Sequence, residues 1–390
     1  MKLLFVIGSA NVGGSVSSMV NMIDLLKENG IEAEVFLMAH IGELYEEIEN
    51  RSLILPENQY LAATVCKREY LKRKYGLKGV FFRGLIAMGN RAGIKTLNEF
   101  TYRRAAAQIP DYDIVIAYQE GYATDFAKYI YAKKKIAWVH TIYQKFACAY
   151  KNQSQLYDTY KNYNKIVCVA SGAVEAFCKG VPTLKNKVCL IQNPLISSRI
   201  KQRAEENIDN NLLKHLENSC TCIVSVGRLS SEKQYDVAVK VADKLHKKNK
   251  QFVWFIAGDG PEKNKLQKLI NEYRLKEKVI LTGLLLNPYP LIKCADVLVI
   301  TSMYEAQPMV ANEALILGTP VITTNYQTAY TLIKDNVNGM ICENSCDSIT
   351  NAILKYIEDD AFANNLKCGA EAFEYDNNSI IKSIRELMDK

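Results

Sequence analysis

Arg228 and Lys233 stand five residues apart, just past an apolar run, 222–226, that Gly227 closes. A guanidinium is a rigid fork that matches two phosphate oxygens, and an ammonium on a flexible stem is a movable point charge. Beyond the carboxyl end of a strand, the two can hold a diphosphate and neutralise it as it leaves. Further on, Glu305 and Glu313 are spaced Glu-x7-Glu around Pro308. Pro308 suits the first position of a helix, and Gly318 followed by Pro320 suits its end. Glu305 then falls in the turn before that helix and Glu313 about one and a half turns inside it. The unbonded amides of Met309 and Val310 face the turn, where the helix dipole favours an anion. A carboxylate beside them can accept hydrogen bonds from hydroxyl groups. Either glutamate alone would read as a solvated or dipole-matching side chain; their neighbours in the sequence raise them.

Other strand ends carry further candidates. The run 252–257 leads into Gly258-Asp259-Gly260-Pro261, a tight turn whose glycines let a ligand approach the backbone. The run 279–281 leads into Thr282-Gly283. Near the amino terminus, Gly13-Gly14 opens a helix after the run 3–7. Its glycines fall at 8, 13 and 14 rather than as Gly-x-Gly-x-x-Gly, which argues against a dinucleotide-dependent enzyme. His140 closes the run 136–139, where it either meets a ligand or caps the next segment. Asp111-Tyr112-Asp113 has the Asp-x-Asp form of a metal site but precedes the run 114–117. Ligands of open α/β sheets gather at the other end, so this reads as a surface turn and no metal or other cofactor is expected.

These residues need strands to hold them. Short apolar runs, buried on both faces, alternate with helical spacing throughout: 3–7, 34–38, 114–117, 136–139, 166–170 and 188–191, with a helix over 15–28. The stretch 197–219 is polar and rich in Asn, and then the alternation resumes at 222–226, 252–257, 279–281, 297–301 and 321–324. Helices fit over 235–246, 263–273 and 379–389. The chain of 390 residues therefore divides near 195–215 into two α/β domains, 1–195 and 196–375. Two such domains side by side leave a cleft at the carboxyl ends of their strands.

Gly227-Arg228-x4-Lys233, Gly258-Asp259-Gly260-Pro261, a strand ending in Thr282-Gly283, and Glu305-x7-Glu313 occur in that order. The set resembles the retaining nucleotide-sugar glycosyltransferases of family 4, over essentially the whole chain and most strongly from 226 to 321. The resemblance implies the GT-B fold: two Rossmann-like domains whose parallel sheets face a central cleft. It implies that Arg228 and Lys233 bind the donor diphosphate, Glu313 the donor ribose and Glu305 the donor sugar. Ala306, Gln307, Pro308, Met309 and Val310 complete that turn, Gly258 borders it, and Gly283 and Leu284 would meet the base. Gly13 and Gly14 would touch the donor phosphate, and His140 the donor sugar or acceptor, which makes Arg228, Lys233, Glu305 and His140 the catalytic set. Gln192-Asn193-Pro194 resembles the family's link between domains, and the segment 376–390 would cross back to the first domain. Two features depart from the pattern: Ala306 replaces the usual Gly or Ser, and 325–330 lacks the glycine and acidic residue common there.

The net charge is +7, yet 66–104 holds eleven Lys or Arg against two Glu. Aromatic and aliphatic residues interleave with the cations across 67–95, so an anionic membrane surface is one expected partner and a solvated helix face is the alternative. No recognised nucleic-acid module is present. Eleven cysteines without regular spacing read as reduced, which suits a cytoplasmic chain that is at most peripheral on the inner membrane face. Cys220 and Cys222 have no second pair, so no zinc site is expected. The reading is transfer of a hexose or N-acetylhexosamine from a UDP-sugar or other NDP-sugar to a hydroxyl of a glycan or lipid-linked acceptor in envelope or capsule synthesis. Two alternatives stand beside it: a sugar-nucleotide epimerase of the same fold, and a non-catalytic partner subunit.

Overall fold

The computed structural model describes residues 1–91, 95–141, 153–216 and 221–389. Cys220 lies outside them, as do part of the basic segment and the side chain of Lys95. The chain divides into two compact units, one comprising Met1–Pro194 with Asn377–Lys390 and the other Leu195–Asp376.

The first unit is built on a six-stranded parallel sheet in the order β2-β1-β3-β4-β5-β6. Its strands are β1 (Leu3–Ile7), β2 (Ala33–Leu37), β3 (Tyr112–Ala117), β4 (Ala132–Val139), β5 (Lys165–Cys168) and β6 (Val188–Leu190). All five residues of β1 are buried, as an unbroken apolar run requires when helices cover both faces of a sheet. The second unit repeats the plan in the order β12-β11-β10-β7-β8-β9. Here the strands are β7 (Thr221–Val226), β8 (Phe252–Ala257), β9 (Val279–Gly283), β10 (Val297–Ile300), β11 (Val321–Thr324) and β12 (Gly339–Cys342).

Side chains of the second sheet alternate between two cores. Val224, Phe255 and Leu298 enter one, and Ile223, Trp254 and Val299 enter the other. A period of two with both sides apolar is what produces this sandwich. One polar pin crosses it: the Trp254 indole N–H donates to Ser225 Oγ at 3.0 Å, and Ser225 donates to the Val299 carbonyl at 2.5 Å. Each buried polar atom is thereby satisfied, and β8, β7 and β10 are fixed in register.

Three elements differ from the sequence reading. The stretch 197–219 contains helices at Ser197–Arg203 and Asn210–Leu216. Leu195, Ile200 and Ala204 anchor the first of them in the second unit's core, a stripe too sparse to stand out among polar residues. β4 begins at Ala132 and includes three lysines, whose ammonium groups find work at its rim. Lys134 Nζ donates to the carbonyls of Leu387 and Met388 at 3.2 and 2.9 Å, and Lys135 Nζ to the carbonyl of Lys128 at 2.6 Å. Pro308 caps its helix from an extended conformation (ψ 95°) and is not the helix's first residue.

The Lys134 contacts belong to the final helix, Asn377–Asp389, which packs on the first unit. It buries Ile380, Ile381, Ile384, Leu387 and Met388, and a cation at its carboxyl end suits its dipole. Ile384→Ala should lower the unfolding free energy by roughly 2–4 kcal/mol in a urea titration; an unchanged midpoint would show that this helix contributes nothing to the unit.

Candidate functional site

Both sheets reverse direction once. In the second, the chain runs β7, β8, β9 toward one edge and then returns to place β10 on the other side of β7. Loops leaving the carboxyl ends of strands on either side of such a point diverge and leave a crevice, the usual ligand position in these folds. The loop after β7 carries Arg228 and Lys233, and the loop after β10 carries Glu305. Across the reversal Lys233 Nζ meets Glu305 Oε1 at 2.5 Å, and Ser302 Oγ donates to the same oxygen at 2.7 Å.

The two loops are stitched together around this pair. Thr301 Oγ1 donates to the carbonyls of Lys233 and Gln234 at 2.7 and 3.2 Å. The Met303 amide donates to the Glu232 carbonyl at 2.9 Å, and Thr328 Oγ1 to the Glu305 carbonyl at 2.8 Å. Arg228 is exposed and makes no ion pair among the described residues. The sequence reading gave lysine and glutamate separate tasks; the fold joins them and leaves the guanidinium uncommitted.

Loops on the other side of β7 are joined through their backbones. Gly227 N donates to the Ala257 carbonyl at 2.9 Å, Leu229 N to Asp259 at 3.0 Å and Gly258 N to Gly283 at 2.8 Å. Gly258 and Gly260 permit this approach. A Cβ on Gly258 would lie 1.9 Å from the Gly227 carbonyl oxygen, and one on Gly260 2.4 Å from that of Leu229. Gly283 has φ +77° and open space before it, and exposed Leu284 follows.

The helix Met309–Ile316 starts in the Glu305 loop, so the Met309 and Val310 amides have no carbonyl partner within it. Gln307 donates to the Tyr375 hydroxyl at 3.1 Å, and Ala306 is partly exposed beside it. Glu313 is buried deeper. Its Oε1 accepts from the Tyr289 hydroxyl at 3.2 Å. Burial pushes its carboxyl up to about 7, against the pull of Tyr289, Arg203 and Arg199. Asn312, one residue earlier, is fully buried with no hydrogen bond to its side-chain amide among the described residues. Sequence reasoning missed Tyr289, Arg199 and Arg203: they approach Glu313 from other helices, and only the fold brings them there.

The first unit holds the remaining candidates. Gly13 caps the helix Gly14–Glu28, and a Cβ on Gly14 would meet nothing within 4 Å among the described residues. His140 follows β4, its ring centroid 4.8 Å from that of Tyr118. Both its ring nitrogens are shielded from solvent without a hydrogen bond of ordinary geometry among the described residues. Desolvation lowers its pKa to about 3, with the Tyr118 backbone opposing, so the ring is neutral at ordinary pH. Glu120, which the sequence did not single out, accepts from the His140 amide (2.5 Å), the Thr141 amide (2.7 Å) and Thr141 Oγ1 (3.0 Å). Asn193 of the Gln-Asn-Pro link accepts from Ser18 Oγ at 2.7 Å, and Ser18 Oγ also lies 2.8 Å from the Tyr118 hydroxyl. Asp113, at the amino end of β3, is engaged by Lys133 Nζ at 2.7 Å and the Lys2 amide at 2.8 Å.

The chain is similar to several known proteins. Residues 205–373 match the family of glycosyl transferases group 1. The matched residues fall within the second unit. An uncharacterised glycosyltransferase of Methanocaldococcus jannaschii is 31% identical over 37% of this chain and 36% of its own length. An N-acetylgalactosaminyltransferase of Campylobacter jejuni, named for a diphospho-undecaprenol acceptor, is 30% identical over 43% of this chain and 47% of its own. The chain thus spans about a third to a half of these relatives' lengths. Among solved structures, Anabaena HepE in complex with UDP and glucose has a TM-score of 0.75 at 18% identity, covering 100% of this chain and 99% of its own. Staphylococcus aureus TarM reaches 0.72 at 15% identity, covering 100% of both chains. The fold is GT-B.

Two outcomes test this geometry. Gly258→Ala should cost at least about 2 kcal/mol in denaturant unfolding, whereas Gly14→Ala should change stability by less than about 0.5 kcal/mol; similar effects at both positions would contradict the loop packing. Glu313 has a folded pKa above its unfolded value, so its proton favours the folded state. Its contribution is full below about pH 4.5 and is lost as pH rises to about 7, roughly 3 kcal/mol in all. Glu313→Gln should therefore gain stability relative to the parent between pH 5 and 8; a pH-independent difference would refute the buried carboxyl.

Proposed function

We propose that this chain is a retaining glycosyltransferase that moves a hexose or N-acetylhexosamine from a UDP-sugar, or another NDP-sugar, to a hydroxyl. The Lys233–Glu305 pair across the β7/β10 reversal, with Arg228 on the loop that carries Lys233 and the Met309–Ile316 helix following the loop that carries Glu305, carries this reading. A diphosphate entering the crevice offers Lys233 a stronger partner than one carboxylate. Lys233 exchanges Glu305 for phosphate, Arg228 adds its fork, and the released Glu305 accepts hydrogen bonds from the sugar. The leaving diphosphate is stabilised where its charge develops. These cations and the helix dipole take the role a metal plays elsewhere.

Glu313 would accept the donor ribose hydroxyls, which favour its ionised form and offset its burial. The base would lie over Gly283 and Leu284, with Gly258 bordering the phosphates. Contact with the donor phosphate is proposed for Gly13 and Gly14. His140, neutral, would hydrogen-bond the donor sugar or the acceptor and not act as a cation.

The relatives support transfer more than epimerisation. Poly(ribitol-phosphate) alpha-N-acetylglucosaminyltransferase of S. aureus is 28% identical over 40% of this chain. A galactosyltransferase of Escherichia coli named for a UDP-Gal donor and a diphosphoundecaprenol acceptor is 22% identical over 73% of it. One name gives a poly(ribitol-phosphate) and the other a diphosphoundecaprenol-linked sugar, so a glycan or lipid-linked acceptor, met on the cytoplasmic side in envelope or capsule synthesis, is proposed here as well.

A radiolabelled UDP-sugar panel tests the reading. Arg228→Ala and Lys233→Ala should each lower donor hydrolysis or sugar transfer at least about a hundredfold. Near-normal rates would remove the diphosphate assignment, and conversion of the sugar nucleotide without acceptor or hydrolysis would replace transfer with epimerisation.

A further inference from the structure

The helix assigned to Arg68–Arg91 is broken at Gly76, whose φ of 63° and ψ of −152° are not helical. Beyond the break its two sides differ sharply. Leu77, Phe81 and Met88 are 78%, 65% and 67% exposed, and Leu85 is exposed too. At 3.6 residues per turn these four lie within roughly 80° of one another. Roughly opposite them, Gly79 and Ile86 are buried, and Arg83 donates to the carbonyls of Ala63 and Thr64 at 3.1 and 2.9 Å. The inward side is thus pinned to the end of the helix Gln59–Val65, which holds the apolar stripe outward.

Charge borders the stripe on both edges. Lys78 and Arg91, both exposed, fall just outside it on the helical projection. Lys72 and Arg73 are exposed in the turns before the break. From Leu77 to Arg91 there is no acidic residue. Before the break, the buried carboxylate of Glu57 gathers Lys74 Nζ (2.5 Å), the Tyr70 hydroxyl (2.9 Å) and the Tyr75 hydroxyl, so the helix start is anchored as well.

We propose that this face, Leu77, Phe81, Leu85 and Met88 with Lys72, Arg73, Lys78 and Arg91, docks on an anionic lipid surface. An apolar stripe between cations matches acyl chains below a layer of negative headgroups. A second copy of the chain would present the same cations and be repelled, and a polar protein partner would leave four large apolar side chains unmatched. The inference stands on this helix alone and needs nothing from the donor site.

Flotation of the full chain with vesicles, in the absence of any nucleotide, tests it. Phosphatidylcholine vesicles containing phosphatidylglycerol should carry the chain, and pure phosphatidylcholine should not. Phe81→Ser with Met88→Ser, and separately Lys72→Glu with Lys78→Glu, should each weaken binding at least about tenfold without altering the thermal melt, because all four side chains are exposed. Failure of the parent chain to float would overturn the proposal, as would equal binding to neutral vesicles or variants that bind like the parent. Self-association in gel filtration that the Phe81/Met88 variant abolishes would assign the face to a second copy instead.

Discussion

An ammonium and a carboxylate held 2.5 Å apart over the point where a parallel sheet reverses set the character of the second unit. Neither residue could be there without the reversal, because Lys233 leaves β7 and Glu305 leaves β10, strands 71 or more residues apart in sequence that become neighbours only through the crossover. The pair is partly exposed, so its own contribution to stability is small. Its value lies in the arrangement around it, where threonine and serine bonds hold the loops after β7 and β10 against each other.

The glycine contacts next to this pair obey a different constraint. Around Gly258 and Gly260 the glycines exist for the fold, since any side chain would strike the carbonyls of the Gly227–Leu229 turn. At Gly14 the described residues make no such demand. The two kinds of glycine look alike in sequence, and only the built backbone separates them.

Much of the architecture was legible because buried parallel strands are written as unbroken apolar runs. The runs 3–7, 252–257 and 321–324 coincide with β1, β8 and β11. What escaped has physical causes. β12 is a four-residue edge strand, only partly buried, and Gly339 begins it. The helices at Ser197–Arg203 and Asn210–Leu216 hide their few anchors among charged residues. For the site, residues on one loop could be grouped by spacing, but partnership across loops could not. Spacing placed Glu313 on its helix and could not show that Tyr289 and Arg203 reach it.

Glu313 poses a different electrostatic problem in the same unit. An ionised carboxylate removed from water without a full set of donors is costly, and one tyrosine hydroxyl at 3.2 Å does not complete that set. A fold that needed only packing here would favour an apolar residue of similar size. Keeping the carboxylate makes sense if a ligand supplies the missing donors, and a pair of vicinal hydroxyls does so with the right polarity. The same reasoning separates it from Glu305, whose oxygen already has Lys233 and Ser302. One glutamate is buried beside a single hydroxyl donor and the other is engaged by an ammonium and a hydroxyl. The Glu-x7-Glu spacing therefore joins two carboxylates in different surroundings, a distinction that the fold and not sequence interval creates.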